Sequence, residues 1–598
     1  MSLGGPGPAA PGLAGPDVTG PSLAGRGLEA IFPLLPTAGP EGGIALYRAW
    51  IAANPGALQA FAAWFNLGVE LSRIGRPAEA EAAYREVLRL NPRLDAASLN
   101  LGSALEAQGR RAEAMAAWEC ALQPLPHRVM LLNQRGRLLE EERRFAEAET
   151  CLRESLALDP DQPDVVQHWL HLRQKACIWP LYRGEIPGRS LAELALQSGP
   201  LGILALTDDP DLQRRSAAAW LSRKAPPAPR RLSPRGGYRH DRIRLGYLSA
   251  DFCRHALSFL MAEVFERHDR SQFEVFGYCS SPEDGSEIRR RVIAGFDHHV
   301  PIGALSEEDA AARIRADEID ILVDLNGLTK GARLGALRWK PAPVQATYLG
   351  YIGSVPLPEL DWLICDAHVV PPGLAHLYAP RPLPLAGLYQ ANDSRMPPLP
   401  AVSRAAEGLP DHAFVLCCFS HHYKITEAMF GRWMEILRRV PRAVLWLVED
   451  TASSKANLLR HAMAAGIEPA RLVFAPRTEP ARYLARFTLA DLFLDTTPYN
   501  AGTVASDALR MGLPLLTQSG RAFASRMAGS LLQAVGLEAG ITADLDSYVA
   551  RAVEFATQPG LLAEARRACA RWAASIGDSE GFTRRLEEAY RRIRLNGC

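Results

Sequence analysis

The stretch LADLFLDTTPYNAGTVASDALRMGLPLLT, residues 489–517, decides the fold of the second half of the chain. Its apolar run at 492–494 is typical of a buried strand in a parallel sheet. A helix with apolar positions at helical spacing then begins beside Gly502 and ends at Gly512. A second apolar strand follows at 513–517. The stretch therefore predicts one βαβ unit.

The start of that helix is a candidate phosphate site. Free backbone N–H groups and the helix dipole favour an anion beside Gly502 and Thr503. Asp507, one turn further along, is in a position to reach a ribose hydroxyl. An ordinary βα turn with a solvated Asp507 explains the same residues, because a single Gly-Thr turn is a weak signal.

Length and composition limit the class of protein. The 598 residues exceed what one domain needs and indicate three or four domains. The formal net charge of +1 argues against a nucleic-acid protein that depends on a strong positive field. No apolar run reaches the roughly 18 residues of a membrane span, and the N-terminal residues lack the features of a signal peptide. Ten scattered cysteines without metal-ligand spacing indicate reduced, mostly buried thiols in a cytoplasmic protein, with no metal site.

A 34-residue period runs through residues 43–161, which we assign to tetratricopeptide repeats. Small residues occupy the phases where two helices must approach, and a proline closes each repeat. Such arrays bind extended segments of other proteins, although a spacer or a dimer contact would need the same repeats. The columns that keep the period are Gly68, Gly102 and Gly136; Gly75 and Gly109; Glu79-Ala80, Glu113-Ala114 and Glu147-Ala148; Tyr84, Trp118 and Leu152; and Pro92, Pro126 and Pro160.

The rest of the chain divides by composition. Residues 1–42, rich in Gly, Pro, Ala and Ser, predict a disordered or loosely attached leader, and residues 162–240 predict a helical cap and a linker. From there strands alternate with helices in two runs, assigned to residues 241–400 and 401–598, with a Pro-rich connection around 371–410. Strands joined by helices predict doubly wound parallel sheets that bind ligands outside the carboxyl ends of their strands.

Four motifs of these two runs resemble a known family. They are IRLGYLSADFCRHALSFLM (243–261), VDLNGLTKGARLGALRWKPAPVQATYLGYIGS (323–354), CCFSHHYKIT (417–426) and the stretch at 489–517. Preceded by the repeats, they look like the O-linked N-acetylglucosamine transferase family, which includes bacterial homologues and the SPINDLY-type protein O-fucosyltransferases. The resemblance implies an α-helical tetratricopeptide solenoid followed by two Rossmann-like α/β lobes of the GT-B glycosyltransferase type.

The same resemblance implies a function. A sugar would pass from a nucleotide donor to Ser or Thr of protein acceptors, which the repeats would hold. UDP-N-acetylglucosamine is the expected donor, with no cofactor and no metal, since the chain has no paired strand Asp-x-Asp. GDP-fucose and UDP-glucose remain open as donors. A non-catalytic tetratricopeptide scaffold with a degenerate transferase domain is the alternative from another class.

Site residues also follow from the resemblance. His255 matches the active-site histidine, as a base or a hydrogen-bond donor, with a helix-capping histidine as the alternative. Lys424 matches the lysine that neutralises the donor diphosphate, whose charge grows in the transition state, with a surface lysine as the alternative. Thr503 matches a phosphate-binding threonine, and Asp507 matches the acid that holds the ribose.

Tyr351 and Gly353 match the family's loop near the sugar and the acceptor.

Two departures from the family pattern concern the donor. Human-type members, however, carry His-Thr-Thr where this chain has Gly502, Thr503 and Val504, so an imidazole and a hydroxyl are missing. The common histidine near the nucleobase falls on Tyr483, whose ring can still stack on a base.

Overall fold

The structure, a computed structural model, describes residues 23–120 and 128–596. It separates into two compact units, Met1–Asp161 and Gln162–Cys598. Within the described ranges, no helix combines the length and the apolar character needed to cross a bilayer.

The eight cysteines whose side chains the structure describes are free thiols, as the sequence predicts. Seven of these eight side chains are buried, and Cys253 is partly exposed. In the same ranges, no group of three or more His, Cys, Asp or Glu side chains is arranged to hold a metal ion.

The predicted disordered leader, residues 1–42, is wrong for the part that the structure describes. Residues 1–22 lie outside the described ranges, but Leu28–Leu34 form a 3-10 helix that leads directly into α1 (Leu35–Ala53). The side chain of Ile31 is fully buried. A few apolar side chains therefore order this segment, although Gly and Pro dominate its composition.

Among the described residues of the first unit, six further helices pack in consecutive pairs. They are α2 (Ala60–Arg73), α3 (Pro77–Leu90), α4 (Asp95–Ala107), α5 (Arg111–Cys120), α6 (Arg128–Glu141) and α7 (Phe145–Leu158). Pro126, one member of the proline column, lies outside the described residues.

The glycine column of the 34-residue period marks the contact within each helix pair, as the sequence predicts. At each of these glycines an added Cβ would overlap a large side chain of the second helix, so the two helices approach more closely than any other residue allows. A Cβ added to Gly68 would lie 2.6 Å from Cε1 of Tyr84, one added to Gly102 would lie 2.1 Å from Nε1 of Trp118, and one added to Gly136 would lie 2.4 Å from Cδ2 of Leu152.

The turn between paired helices uses a left-handed residue. Gly75 and Gly109 adopt φ values of 74° and 76°, and the third repeat has Arg143 at the same place with φ 62°. Only glycine adopts this conformation without steric cost. The third repeat therefore carries a strained residue where the first two do not.

The second unit begins with the predicted helical cap and continues into a seven-stranded sheet. The cap comprises α8 (Pro163–Lys175), α9 (Leu191–Gln197), α10 (Gly199–Leu206) and α11 (Pro210–Lys224). The strands are β1 (Ile243–Ser249), β2 (Phe273–Cys279), β3 (His298–Pro301), β4 (Ile321–Asp324), β5 (Val344–Thr347), β6 (Trp362–Asp366) and β7 (Arg381–Leu385), and the helices are α12 (Ala256–Arg267), α13 (Glu287–Ala294), α14 (Glu307–Ala316) and α15 (Leu334–Arg338). Every neighbouring pair in the order β3-β2-β1-β4-β5-β6-β7 is parallel, and this sheet forms the first lobe.

The Pro-rich connection around 371–410 contains a strand that the sequence did not predict. Strand β7 includes Pro382 and Pro384 and pairs only with β6, at the edge of the sheet. Proline is tolerated there because the outer side of an edge strand needs no N–H for a ladder.

A second parallel sheet forms the second lobe. Its strands are β8 (Phe414–Cys418), β9 (Ala443–Val448), β10 (Leu472–Ala475), β11 (Leu492–Leu494), β12 (Leu515–Gln518) and β13 (Ile541–Thr542). The helices are α16 (Glu427–Arg439), α17 (Ala452–Ala464), α18 (Pro480–Arg486), α19 (Thr503–Arg510), α20 (Met527–Ala534), α21 (Leu545–Thr557), α22 (Pro559–Cys569) and α23 (Ser579–Asn596). The strand order is β10-β9-β8-β11-β12-β13. Strand β11, helix α19 and strand β12 confirm the βαβ unit predicted from residues 489–517.

The last helix, α23, returns from the second lobe to the first. The carboxylate of Glu587 accepts a 3.1 Å hydrogen bond from Nδ1 of His268, and both side chains are fully buried. The hydroxyl of Tyr590 lies 3.1 Å from that of Tyr247 on β1. The C-terminal helix therefore completes the core of the first lobe.

Candidate active site

Each lobe has a point where its strand order reverses, and polar side chains gather at both points. The reversal lies between β1 and β4 in the first lobe and between β8 and β11 in the second. Open parallel sheets bind ligands outside the carboxyl ends of the strands at such a point. His255 follows β1, Lys424 follows β8 and Gly502 follows β11. The topology thus selects three of the predicted site residues.

Asp495 holds the turn between β11 and α19. Its Oδ1 accepts hydrogen bonds from the backbone N–H groups of Thr496 and Ala501, both at 2.8 Å. Its Oδ2 accepts one from the hydroxyl of Thr517 at 2.7 Å. Burial raises the pKa of Asp495 to about 7, although these hydrogen bonds and the charge of Lys424 oppose the rise. In the sequence, Asp495 is recognisable only as the end of a strand, because its contact with Thr517 depends on the pairing of β11 with β12.

Lys424 reaches the same turn from the other side of the reversal point. It ends the short 3-10 helix His422–Lys424 after β8, and its Nζ donates a 3.0 Å hydrogen bond to the backbone carbonyl of Asn500. Burial lowers the pKa of Lys424 to about 8, and the nearby carboxyl of Asp495 opposes this. The lysine and the helix start, predicted from separate motifs, are therefore brought together.

Gly502 lies beside the ends of two flexible side chains. It precedes Thr503, the first residue of α19, and no side chain caps the helix. A Cβ at position 502 would lie 2.5 Å from Cε of Met527 and 3.2 Å from Oε1 of Gln390. A larger side chain at position 502 would therefore displace the ends of Met527 and Gln390. These contacts of position 502 are not visible in the sequence, because Met527 lies on α20 and Gln390 lies in the connection between the lobes.

Asp507 and Tyr483, predicted for the ribose and the base, contact each other. The hydroxyl of Tyr483 on α18 donates a 3.2 Å hydrogen bond to Oδ2 of Asp507. The ring of Tyr483 packs edge-on against Phe487, with ring centroids 5.2 Å apart. Burial raises the pKa of Asp507 to about 7, and the hydrogen bond from Tyr483 opposes the rise. The stacking of Tyr483 on a base stays a prediction.

His255 caps the N-terminus of α12. Its Nδ1 accepts a 3.3 Å hydrogen bond from the backbone N–H of Leu257, and its side chain is 51% exposed. A neutral imidazole that accepts at Nδ1 carries its proton on Nε2 and is a donor there. That Nε2 has no hydrogen-bond partner among the described residues. His255 is thus a capping residue whose other nitrogen remains available to a ligand.

Asp251 and Asn326 form a polar pair at the reversal point of the first lobe, and sequence analysis missed it. Nδ2 of Asn326 donates a 2.7 Å hydrogen bond to Oδ2 of Asp251, which lies 3.7 Å from Nδ1 of His255. Burial raises the pKa of Asp251, while His255 and Asn326 oppose the rise. The only signal in the sequence is one polar residue after each of two strands that lie far apart in the chain.

Tyr351 and Gly353 lie on the loop after β5, and Tyr351 is buried. Its hydroxyl donates a 3.0 Å hydrogen bond to the backbone carbonyl of Pro200. A Cβ on Gly353 would lie 3.2 Å from Cε1 of Tyr351. The hydroxyl is therefore engaged within the protein, and the predicted contact of this loop with a sugar or an acceptor stays a prediction.

Comparison with known proteins identifies the fold. The family described as Glycosyl transferase family 41 matches residues 228–386 and 389–585, and the chain belongs to this family. Two tetratricopeptide repeat families match residues 61–94 and 131–162, which confirms the predicted repeats. The solved structure of a mutant O-GlcNAc transferase from Thermobaculum terrenum is 27% identical, covers 90% of this chain and 98% of that chain, and superposes with a TM-score of 0.66. The predicted two-lobed GT-B class is therefore confirmed.

Curated relatives are longer than this chain. A probable UDP-N-acetylglucosamine–peptide N-acetylglucosaminyltransferase named SEC, from Arabidopsis thaliana, is 35% identical over 59% of this chain and 37% of its own length. The UDP-N-acetylglucosamine–peptide N-acetylglucosaminyltransferase of Caenorhabditis elegans is 26% identical over 58% of this chain and 40% of its own length. The chain therefore spans about two fifths of the curated relatives that it matches.

Proposed function

We propose that the protein is an O-glycosyltransferase that moves N-acetylglucosamine from UDP-N-acetylglucosamine to Ser or Thr side chains of protein acceptors. Membership of glycosyl transferase family 41 and the names of the relatives support this proposal. The observation that carries it is the meeting of Lys424 with the turn before α19, where the strand order of the second lobe reverses.

The donor diphosphate would lie at this meeting point. An ammonium group and the uncapped start of a helix both stabilise negative charge, and that charge grows as the nucleotide diphosphate leaves. Thr503 would add a hydroxyl at the helix start, and Asp507 would hold the ribose. Since these groups offset the charge of the diphosphate themselves, we propose that the reaction needs no metal and no cofactor.

His255 would act as a hydrogen-bond donor. With Nδ1 bonded to the N–H of Leu257, its proton would reside on Nε2 and would be donated to an oxygen acceptor on the sugar donor or on the incoming hydroxyl. This assignment favours the donor alternative for His255 over the base alternative.

The protein acceptor would be held by the repeats. Stacked helix pairs make extended surfaces that suit an unfolded segment of another protein. We place this activity in the cytoplasm, and the free thiols of the described residues support that location.

Turnover and ligand stabilisation test the proposal together. Purified protein should release UDP from UDP-N-acetylglucosamine, and UDP should raise its thermal midpoint at concentrations where GDP has no effect. Stabilisation by GDP alone would change the proposed donor to GDP-fucose. The specific observation that keeps this alternative open is the missing imidazole beside Thr503. Binding of neither nucleotide, with no donor hydrolysis, would favour a non-catalytic scaffold.

A further inference from the structure

We infer that Tyr499 is a positioning residue for Lys424: the face of its ring holds the ammonium group in the orientation in which it can meet the diphosphate. The inference rests on the proposed function only for what Lys424 does in turnover. The contact itself is a property of the free protein.

Two consecutive residues hold the ammonium group of Lys424. Its Nζ lies 3.7 Å from the centroid of the Tyr499 ring and 3.0 Å from the backbone carbonyl oxygen of Asn500. A cation this close to the face of an aromatic ring is attracted by the negative face of the ring. A flexible four-carbon side chain is thereby confined at its end as well as at its base.

The ring of Tyr499 is itself fixed by the residue that precedes Lys424. Tyr423 packs edge-on against Tyr499, with ring centroids 5.9 Å apart and planes at 69°. One segment after β8 therefore supplies both the cation and the side chain that sets the ring against it.

The other ionisable groups near the ammonium do not take over this role. The carboxyl of Asp495, at the end of β11, and the thiol of Cys418, at the end of β8, also face Lys424. The oxygens of Asp495, however, are engaged by Thr496, Ala501 and Thr517. Burial raises the pKa of Tyr499 to about 12, so its ring stays neutral and takes no proton from Lys424.

Removing the ring should therefore affect Lys424 in two measurable ways. The ammonium loses a group that favours its charged form, so Lys424 becomes more acidic. Its ε-carbon also loses the shielding that the face of an aromatic ring imposes. A substitution that keeps the ring should cause neither change, even though it removes the hydroxyl.

Lysine NMR provides the test, because the sequence contains only six lysines. Protein carrying ε-¹³C lysine should give six signals, and the one lost in Lys424→Arg belongs to Lys424. We expect this signal to be shielded in wild type and in Tyr499→Phe. In Tyr499→Leu it should move toward the other lysines, and the acid dissociation constant of Lys424 should rise about threefold or more. An unshielded Lys424 signal in wild type would overturn the inference. So would a Tyr499→Leu protein in which the chemical shift and the titration of Lys424 are the same as in wild type.

A second variant protects the test against misfolding. Trifluorophenylalanine at position 499 keeps the shape of Phe but weakens the negative face of the ring. Its Lys424 titration should lie on the acidic side of that of Tyr499→Phe. Identical titrations of these two proteins would also overturn the inference.

Turnover separates this inference from the proposed function. In an active enzyme, Tyr499→Leu should lower kcat by about tenfold while the KM for the donor changes by less than about threefold, and Tyr499→Phe should stay within about twofold of wild type. A fall in kcat as large in Tyr499→Phe as in Tyr499→Leu would contradict the role of the ring. Wild-type protein that shows the NMR signature but no transfer would refute the proposed function and leave the positioning contact in place.

Discussion

The guanidinium of Arg254 lies 2.7 Å from the carboxylate of Glu479 and so joins the two lobes. Arg254 adjoins His255 at the start of α12, and Glu479 immediately precedes α18, the helix that carries Tyr483. The two side chains are 55% and 81% exposed. This direct, solvent-exposed contact therefore links the predicted catalytic turn of one lobe to the predicted nucleotide-binding segment of the other.

Because both groups are exposed, we expect this ion pair to add little stability. Water and salt screen such pairs, and the coupling energy in a double-mutant cycle of Arg254→Gln and Glu479→Gln should be below about 1 kcal/mol. Urea denaturation of the four proteins measures it. A coupling energy that is well above this value and insensitive to salt would show that the pair fastens the lobes together.

Lys424→Ala should lower turnover by about 100-fold or more, because it removes a fixed charge that stabilises the leaving diphosphate. Donor binding should weaken much less. Lys455→Ala is the matched control, since Lys455 lies in the same lobe and its ammonium pairs with the carboxylate of Glu449 at 3.0 Å. Steady-state kinetics distinguish the two variants, and a Lys424→Ala enzyme with more than a third of wild-type turnover would exclude Lys424 from the reaction.

Removing residues 1–161 should separate chemistry from acceptor binding. Donor hydrolysis and transfer to short peptides should remain within about threefold of the full chain, whereas transfer to intact protein acceptors should fall by about tenfold or more. The three rates, measured on equal amounts of folded protein, test this. Equal rates on intact acceptors would make the repeats a spacer or a dimer contact.

Arg143→Gly should stabilise the first unit by up to about 1 kcal/mol, because it relieves a left-handed residue of its steric cost. The greater freedom of glycine in the unfolded chain offsets part of this gain. Gly109→Arg, the reverse change at the equivalent position, should destabilise the unit by a similar amount. If both variants unfold at the wild-type urea midpoint, the backbone at this position carries no strain.

Acidification should weaken the contact between α23 and the first lobe. Burial lowers the pKa of His268 below its ordinary value of 6.5, with Glu587 opposing, so on unfolding His268 takes up a proton that it lacks in the folded state. Stability is therefore lost as the pH falls below 6.5. Glu587 adds a second loss at lower pH: although burial raises its pKa, hydrogen bonds from His268, Asp269 and Arg584 lower it overall.

The free energy of unfolding from about pH 8 to about pH 5 measures this effect. His268→Gln is the control, because it keeps a hydrogen-bonding side chain but has no proton to exchange. Its stability should depend less on pH than that of wild type between about pH 7 and about pH 5.5. Parallel curves for the two proteins would place the pH dependence elsewhere.

Local patterns in the sequence predicted the parts of the fold that depend on neighbours in the chain. The glycine column and its partners, such as Gly68 and Tyr84, were found because a repeat places contacting residues at a fixed spacing in the sequence. The βαβ unit at 489–517 was found because its strand, turn and helix are consecutive. Both predictions needed no knowledge of tertiary structure.

Contacts between distant segments were not predictable in this way. The packing of Met527 and Gln390 over Gly502, and the pairing of Asp251 with Asn326, join segments that lie far apart in the chain. The hydrogen bond between Tyr483 and Asp507 arises because α18 and α19 are brought together by the sheet. Each of these contacts depends on the order of the strands in the sheets, which cannot be read from the residues themselves.

The return of α23 has a consequence for experiments on domain motion. A fluorophore near Ile593, which is buried against the first lobe, would move with that lobe although it follows the second lobe in sequence. A partner fluorophore on α17 would move with the second lobe, so the distance between the two fluorophores would report any motion of one lobe relative to the other. For the same reason, a split reporter cut between residues 400 and 401 would leave its N-terminal half without the helix that completes its interior.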